Sequence, residues 1–527
     1  MIENGLWAWI GRLALAAVVA AGVAIVARPA TQFIPEDAAD PDQEKAAAPE
    51  PQAKPPPGAE KRAKAAEPAP SPSWLQAQDM SGSSDESEQA VTLALSWLAE
   101  HQLAAGGWSF DHRLGRCQGR CSNPGKAMAK AVAGATGMAL LPFIDHGNTH
   151  QIGPYRQNVA AGLQFLIARM GKDGSLWEQG GTMYSHALGL LALCEDLRVG
   201  REASGGAEFS TLAPAAATGK KAARPATSHA HPSPSTQAGR QALQQQKEQQ
   251  QRDTLDRLVP TAASHALAFA LACQDPRRGG WRYEPRRPDS DISVTGWHVM
   301  ALHSATASDL PVPARTVLGV TALLDALQGD YGAIYGYYRS AAEATPTRTS
   351  IGLLCRVYTG WNRPQLQRGV ENLAAVGPSE NNMYYNYYAT LLLHHYGGPL
   401  WDDWNRKLRD YLIRTQSHQG HESGSWSFPP CHSNMMGGRH FDTCMACLIL
   451  ETYYRSKPAY PPPQPDKQKP AAVPEKAGEA PAKPASEAPA KPDQPATPPD
   501  KAGEGPGKSE KPAEPPAGKA DEASAIF

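Results

Sequence analysis

The chain has 527 residues and a formal net charge of −1, from 51 basic and 52 acidic side chains. Charge this balanced gives no electrostatic attraction for a phosphate backbone, so we expect no nucleic-acid partner. Its 48 prolines concentrate in residues 29–72 and 458–516, where Pro/Ala/Lys/Glu tracts have too little apolar content to offset the entropy of folding. We therefore expect a disordered linker over residues 29–85, a folded region over residues 86–456 and a disordered tail over residues 457–527.

The N-terminus carries an apolar stretch. Residues 7–27 read WAWIGRLALAAVVAAGVAIVA, with Arg12 as the single charge, and as a helix they are long enough to cross a bilayer. The alternative is a cleaved signal peptide, but cleavage after Ala27 or Ala30 would place Ile25 or Arg28 at the −3 position, where a small residue is needed. We therefore expect an uncleaved, single-pass membrane anchor over residues 1–28, with the folded region extracytoplasmic.

One pattern recurs along the folded region. A helix ends in an aromatic residue, four variable residues and a glutamine, and a loop containing Gly-x-Trp follows. Good copies lie at residues 97–108 (WLAEHQLAAGGW), 269–281 (FALACQDPRRGGW) and 411–426. A weaker copy at residues 165–177 has Met170 in place of the glutamine, and two degenerate copies lie in LLDALQGDYGAIYGY and GVENLAAVG. A spacing of roughly 50 residues predicts stacked two-helix units that need neighbours to bury their faces.

Each Gly-x-Trp loop leads into a second helix that is apolar on most sides. We identify six such segments, which begin AMAKAV, TMYSHA, DISVTG, TRTSIG, NNMYYN and HFDTCM. A helix apolar all round is buried, whereas the first helix of each pair keeps a charged face. The sequence thus predicts an all-α fold, an α/α toroid of the α6/α6 barrel type with about six two-helix repeats. A low-complexity insertion interrupts it at about residues 201–251.

The repeat resembles the QW repeat of the squalene-hopene and oxidosqualene cyclases, and of the protein prenyltransferase β subunits that share their barrel. The resemblance is to a membrane-anchored bacterial member of that superfamily. In the family the glutamine caps a helix end and the tryptophan stacks against it, which ties neighbouring repeats together. The resemblance therefore implies structural roles for Gln102, Trp108, Gln274, Trp281, Gln416 and Trp426.

In such a barrel the inner helices are parallel, so their N-termini converge at one end of a cavity. Helix capping explains single polar residues there, such as Asp291 or Asp442. The set as a whole favours a binding pocket, with the tyrosines lining it for a lipid or a sugar or, more simply, packing between inner helices. The candidate pocket residues are Tyr184, His186, Arg348, Asn381, Asn382, Tyr384, Tyr385 and His440.

The cyclases protonate their substrate with an Asp-rich motif at the start of an inner helix. The nearest match is D289-S-D291-I-S293, which places either Asp291 or Ser293 at the acid position and leaves the motif incomplete. Prenyltransferases hold zinc with Asp-x-Cys and a histidine, where this chain has Asp291, Ser293 and Asp442. Two carboxylates and a hydroxyl are poor zinc ligands, so no cofactor is expected there.

A separate set of residues lies in the first and last repeat loops, which read GGWSFDHRLGRCQGRC and GSWSFPPCHSNMMGGRH. Closure of a toroid makes these loops neighbours, so Cys117, Cys121, Cys431 and His432 can meet. Outside the cytoplasm a disulfide from Cys431 would close the ring, and inside it a Cys₃His zinc site would. The alternative is unrelated loop thiols. The other five cysteines lie in apolar helical runs and are expected to be buried thiols.

Two functions follow from the resemblance. The first is a membrane-anchored cyclase- or prenyltransferase-like toroid that binds a ligand or protein, with a degenerate catalytic motif. The alternative is a terpenoid- or lipid-acting enzyme, an isoprenoid cyclase or transferase that uses Asp291 and Asp442. The expected partners are the membrane, through the N-terminal helix, and an isoprenoid, another lipid or a protein.

Overall fold

The computed structural model describes residues 84–203, 237–455 and 458–460. The predicted anchor, nearly all of the linker and the tail beyond residue 460 lie outside the described residues. Membrane attachment, an extracytoplasmic location and the domain boundaries therefore stay predictions. Among the described residues, no helix combines the length and the hydropathy that crossing a bilayer requires.

The described residues form an all-α toroid, which confirms the predicted fold class. The outer helices are α1 (Asp85–Glu100), α3 (Arg156–Arg169), α5 (Gln237–Cys273), α7 (Ala314–Leu327), α9 (Arg363–Val376) and α11 (Pro399–Thr415). The inner helices are α2 (Val132–Asp145), α4 (Thr182–Ala203), α6 (Ile292–Ala307), α8 (Pro346–Tyr358), α10 (Met383–Tyr396) and α12 (His432–Leu450). A short α13 (Thr452–Arg455) and a two-stranded antiparallel pair, β1 (Gln328–Gly329) with β2 (Ile334–Tyr335), complete the regular structure.

Burial separates the two layers as the apolar patterns predict. In the inner helix α10 every side chain from Met383 to His395 is buried. In the outer helix α11 only Trp401, Trp404, Leu408 and Leu412 are buried, and their spacing of three and four residues places them on one face. The layers differ because an inner helix has packed neighbours on all sides, whereas an outer helix has solvent on one.

The ring is closed. Each inner helix packs against the next, from α2 through α4, α6, α8 and α10 to α12, and α12 packs back against α2. In the outer layer α11 also contacts α1. The run His432–Leu450 has a break in its backbone at Gly438, where φ is +61°, so its continuous inner part starts beside the predicted His440 and a short turn from His432 precedes it. Helix α5 includes residues 237–251 of the predicted insertion and continues as the outer helix of its repeat.

The Gln and Gly-x-Trp residues form the same joint in all three good copies. The glutamine Nε2 donates to the carbonyl oxygen of the loop glycine and to a carbonyl oxygen of the next outer helix. The second acceptors are Asn158 O for Gln102 (2.9 Å), Thr316 O for Gln274 (2.9 Å) and Ala90 O for Gln416 (2.8 Å). Each tryptophan backbone N–H donates to a threonine Oγ1 of its inner helix, from Trp108 to Thr136, Trp281 to Thr295 and Trp426 to Thr443. The motif therefore joins three helices at one point.

Candidate functional site

Four side chains from the two ends of the toroid meet where the ring closes. They are His101, Cys117, Cys121 and His421, and their ligand atoms all lie within 4.8 Å of one another. His101 directly follows α1, the two cysteines lie in the first repeat loop, and His421 lies in the 3₁₀ turn Gly420–Glu422 of the last repeat loop. A His/Cys cluster that can hold a metal ion is therefore present at the closure seam.

His101 is oriented for ligation. Its Nδ1 lies 2.6 Å from the carbonyl oxygen of Trp97, and the Trp97 ring stacks on the imidazole with centroids 3.8 Å apart. Donation from Nδ1–H to that carbonyl leaves Nε2 with its lone pair, and Nε2 lies 3.5 Å from Cys121 Sγ. A backbone carbonyl that fixes the tautomer of a histidine is the usual outer-shell partner of a metal ligand.

The protonation states at the cluster follow from burial. Burial lowers the pKa of His101 to about 3, so its imidazole is neutral at physiological pH. Burial also raises the pKa of Cys121 to about 12, so in the metal-free protein its thiol stays protonated. A bound cation reverses this preference, because a coordinating thiol loses its proton to the metal charge.

The dimensions fit a tetrahedral ion. Bonds of about 2.0–2.3 Å to nitrogen and sulfur place tetrahedral ligand atoms about 3.3–3.8 Å apart. Cys121 Sγ lies 3.5 Å from His101 Nε2 and 3.0 Å from His421 Nδ1, so small side-chain adjustments bring the atoms to those separations. Two thiols and two imidazoles are the Cys₂His₂ donor set of structural zinc sites.

Further contacts hold the two loops together around the cluster. Glu422 Oε1 accepts from the backbone N–H of Ser122 (2.6 Å), and the Glu422 carboxylate lies 2.9 Å from the guanidinium of Arg439. Arg439, only 3% exposed, also donates to the backbone carbonyl oxygen of Ser122 (3.1 Å). The cysteine loop is therefore positioned by the last repeat as well as by its own.

The structure divides the predicted loop set. Cys117 and Cys121 belong to the seam cluster, but Cys431 and His432 lie at the start of α12, away from it, and all eight cysteines are free thiols. Cys431 Sγ lies 3.3 Å from the carbonyl oxygen of Asn381. The cluster joins the first and last repeat loops, but two of its members, His101 and His421, are not among the residues predicted from the sequence. Both histidines lie near a repeat glutamine, which could have marked them: His101 directly precedes Gln102, and His421 lies shortly after Gln416.

A cavity of about 320 Å³ opens where four inner helices begin. Its lining comes from the first turns of α6, α8, α10 and α12 and from Tyr337, which follows β2. The N-termini of these four inner helices therefore converge, as predicted. The cavity is lined by Ser293, Tyr337, Thr345, Thr347, Arg348, Ile351, Asn382, Tyr384, Cys431, His432 and Ser433.

The predicted catalytic carboxylates have structural contacts. Asp291 is the N-cap of α6, and its Oδ1 accepts from the backbone N–H groups of Ser293 and Val294, both at 2.9 Å, and from Ser293 Oγ. Asp442 Oδ2 accepts from the backbone N–H of Phe428 (3.0 Å) and so anchors the last repeat loop. Burial raises the pKa of Asp291 to about 6 and that of Asp442 to about 8. A catalytic role for either stays a prediction.

Other residues of the predicted pocket lie in the packed interior. His186 Nδ1 accepts from Leu176 N–H, and its Nε2 lies 3.1 Å from the carbonyl oxygen of Ala266. His440 Nε2 lies 3.1 Å from the carbonyl oxygen of Ala135, which joins α12 to α2. The Tyr385 hydroxyl donates to the carbonyl oxygen of Gly377 (3.1 Å). Tyr184 is fully buried. Asn381 is not in the interior: it is only partly buried, and its amide donates to the carbonyl oxygen of Pro430 (3.4 Å).

Comparison with known proteins gives no family assignment. No family model matches the chain, and no curated protein matches it. Among solved structures the chain is similar to an inactive variant of the alpha-1,6-mannanase GH76A of Salegentibacter sp. HEL1_6 in complex with alpha-1,6-mannotriose. The two chains are 11% identical, the match covers 70% of this chain and 99% of the mannanase, and the TM-score is 0.41. At this identity and score, neither the activity nor the substrate of the mannanase is carried over to this chain.

The family predicted from the sequence is corrected by these findings: no family model matches the chain, and a solved structure to which it is similar is a glycoside hydrolase, not a squalene-hopene cyclase or prenyltransferase. The cyclase- or prenyltransferase-like binding module and the terpenoid-acting enzyme, both inferred from that resemblance, are corrected with it. The physical reason lies in the repeat. Its glutamine and tryptophan form a joint between helices that any ring of helix pairs can use, so they specify an architecture and not a chemistry.

Proposed function

We propose that this protein is a zinc-binding α/α toroid in which one zinc ion ties the first repeat to the last. The observation that carries the proposal is the meeting of four ligand atoms within 4.8 Å at the closure seam. His101, Cys117 and Cys121 come from the first repeat and His421 comes from the last, so a single ion would contact both ends of the ring.

The donor set favours zinc. Thiolate and imidazole ligands in a tetrahedral arrangement suit zinc, whereas magnesium and calcium prefer oxygen donors. Three of the four ligands are buried, and four protein ligands leave a tetrahedral ion no position for water or substrate. These features support a structural centre rather than a catalytic one.

Such an ion would act mainly on the stability of the ring. Cys121 and His421 are separated by 300 positions in the sequence. A link that closes so long a loop restricts the unfolded chain strongly, and zinc binding is coupled to the folding of the site. Without the ion, the seam depends on the remaining contacts, such as Glu422 with Arg439.

Metal analysis of the purified full chain tests the proposal. We expect one zinc per chain in the wild type, and loss of zinc in Cys121→Ser and in His421→Ala. Cobalt substitution should give the absorption bands of a tetrahedral ion with thiolate ligands. Cys431→Ser is the matched control, because it removes a half-buried loop cysteine that lies outside the cluster, and it should retain the zinc.

Thermal unfolding separates a structural ion from an adventitious one. Removal of zinc by a chelator should lower the Tm of the wild type and of Cys431→Ser, and leave the Tm of the zinc-free His421→Ala unchanged. The proposal is overturned if the wild type binds no zinc, or if Cys121→Ser and His421→Ala bind it as the wild type does.

A further inference from the structure

The end cavity differs from the zinc cluster in place and in chemistry. It lies where α6, α8, α10 and α12 begin, and most of the residues that line it carry a polar group beside apolar surface. Hydroxyl groups come from Ser293, Thr345 and Thr347, and an amide comes from Asn382. Two tyrosine rings, of Tyr337 and Tyr384, add flat apolar faces.

The charge of this lining has one sign. Arg348 is its permanent charge, and no aspartate or glutamate is among the residues that line it. The N-termini of α6, α8 and α10 point toward the same space, so the positive ends of three helix dipoles meet there, whereas α12 contributes only the short turn before its break at Gly438. The electrostatic potential in the cavity therefore favours a negatively charged ligand.

Carboxylates lie nearby, but none of them lines the cavity. Asp291 sits behind Ser293, where it caps α6, and Arg282 Nε lies 3.6 Å from its Oδ2. The Arg282 guanidinium also lies 2.6 Å from Asp289 Oδ2. Glu343 contacts Arg348 through its backbone carbonyl oxygen, to which the guanidinium donates.

Arg348 is held in place at the cavity. Its guanidinium lies over the ring of Tyr337, 4.8 Å from the centroid, and its backbone N–H donates to the cap residue Thr345. A guanidinium has five N–H donors, and the contact with Glu343 uses one of its nitrogens. The remaining donors suit a carboxylate or phosphate, which guanidinium groups bind with two parallel hydrogen bonds.

We infer that the cavity is a binding site for a small organic anion, with a phosphate or carboxylate group on Arg348 and the body of the ligand against Tyr337 and Tyr384. The volume of about 320 Å³ matches the lower end of ordinary ligand pockets and accommodates one small ring with its charged group. This inference is independent of the zinc proposal, since the cavity and the cluster share no residue.

Calorimetric titration of the full chain with phenyl phosphate and with benzoate tests the inference and distinguishes the two anionic groups. We expect at least one of them to bind, and more weakly as salt is added. Arg348→Gln should weaken that binding at least about tenfold, the effect of losing a charged hydrogen-bond partner. Arg348→Lys keeps the charge and loses the paired donors, so its affinity for the anion should lie between those of the wild type and Arg348→Gln.

Arg339→Gln is the matched control. Arg339 belongs to the same segment, is exposed, and also lies over a tyrosine ring, that of Tyr338, but it does not line the cavity. It should bind the anion as the wild type does, and the zinc content of every variant should be unchanged. The inference is overturned if neither anion binds, if the two glutamine variants weaken binding equally, or if neutral benzyl alcohol binds as tightly as the anions.

Discussion

The Gln416 side chain donates to the backbone carbonyl oxygen of Ala90 at 2.8 Å, a hydrogen bond from the last repeat to the first helix of the toroid. The same Nε2 donates to the carbonyl oxygen of Gly424 at 3.0 Å. Gln102 and Gln274 make the equivalent pair of bonds between consecutive repeats. The ring therefore closes through the same joint that connects consecutive repeats, at the seam where the His/Cys cluster also lies.

Truncation of this glutamine should open the seam. In Gln416→Ala the carbonyl oxygen of Gly424 loses its donor, while that of Ala90 keeps only its bond within α1, and a buried unsatisfied group costs about 1–3 kcal/mol. We expect the free energy of urea-induced unfolding to fall by at least that amount, and Gln102→Ala to show a similar loss. Gln367→Ala, at an exposed position of α9, should change it by less than about 0.5 kcal/mol. An equal loss in the exposed variant would contradict this role.

The loop glycine allows the seam to close. Gly424 has φ +92°, and an added Cβ would lie 2.2 Å from the carbonyl oxygen of Leu93 in α1. Gly360 has φ +100°, and no atom of the described residues lies within 4 Å of its added Cβ. Gly360→Ala should therefore cost only the conformational penalty of about 1–2 kcal/mol. Gly424→Ala should cost at least about 1–3 kcal/mol more, because the backbones must move apart. Equal losses in thermal unfolding would exclude the close approach as the cause.

Asp442 should make stability decrease with pH. Burial raises its pKa to about 8, well above the ordinary value of an aspartate, so the folded state holds this proton more tightly than the unfolded state. The contribution is complete below about pH 4 and is lost as the pH rises through about 8, at up to about 1.4 kcal/mol for each pH unit. Asp442→Asn still accepts the hydrogen bond from Phe428 and has no such dependence.

Urea unfolding of both proteins at pH 5 and pH 9 measures this effect. The stability of Asp442→Asn relative to the wild type should rise between the two values and level off above about pH 8. A difference that is the same at both pH values would show that Asp442 is already ionised at pH 5 in the folded protein.

His150 should make the stability depend on pH over a narrower range than Asp442 does. Burial opposes its charge, but Asp196 Oδ2 lies 2.6 Å from Nδ1 and Asp256 Oδ1 lies 3.1 Å from Nε2, and the two carboxylates raise its pKa above 6.5. The resulting stability is present below pH 6.5 and is lost as the pH rises through the folded-state pKa. The difference in unfolding free energy between the wild type and His150→Gln should be larger at pH 6 than at pH 9. A difference that grows with pH would show a neutral histidine.

Some parts of the fold could be read from local sequence, and others could not. Trp108, Trp281 and Trp426 mark three joints because a Gly-x-Trp loop is a local feature. In the fourth joint Tyr335 takes the tryptophan's place, and its backbone N–H donates to Thr349 Oγ1 (3.1 Å) as the tryptophans do to their threonines. The repeat pattern is weak in this copy because the contact uses only the backbone N–H of the residue at the tryptophan position. A tyrosine has the same N–H, so the tryptophan is not required.

The candidate sites show the same division. Cys117 and Cys121 stood out by their position in a polar loop, whereas Cys431 and His432 were chosen as their partners because they belong to the facing loop. The path of that loop instead brings His421 to the cysteines and leaves Cys431 at the cavity. Arg348, Asn382 and Tyr384 lie at the cavity, and each stands at the start of an apolar helix, a position that sequence can locate.

The sequence by itself determined the layers of this protein, its repeat and the meeting of its first and last loops. These follow from apolar periodicity and turn residues, which act over a few neighbouring positions. Only the tertiary structure decided which side chains meet across the seam and which line the cavity. Such contacts join residues as far apart as Cys121 and His421. They depend on the path of each loop, which here places His421 beside the cysteines instead of the predicted His432.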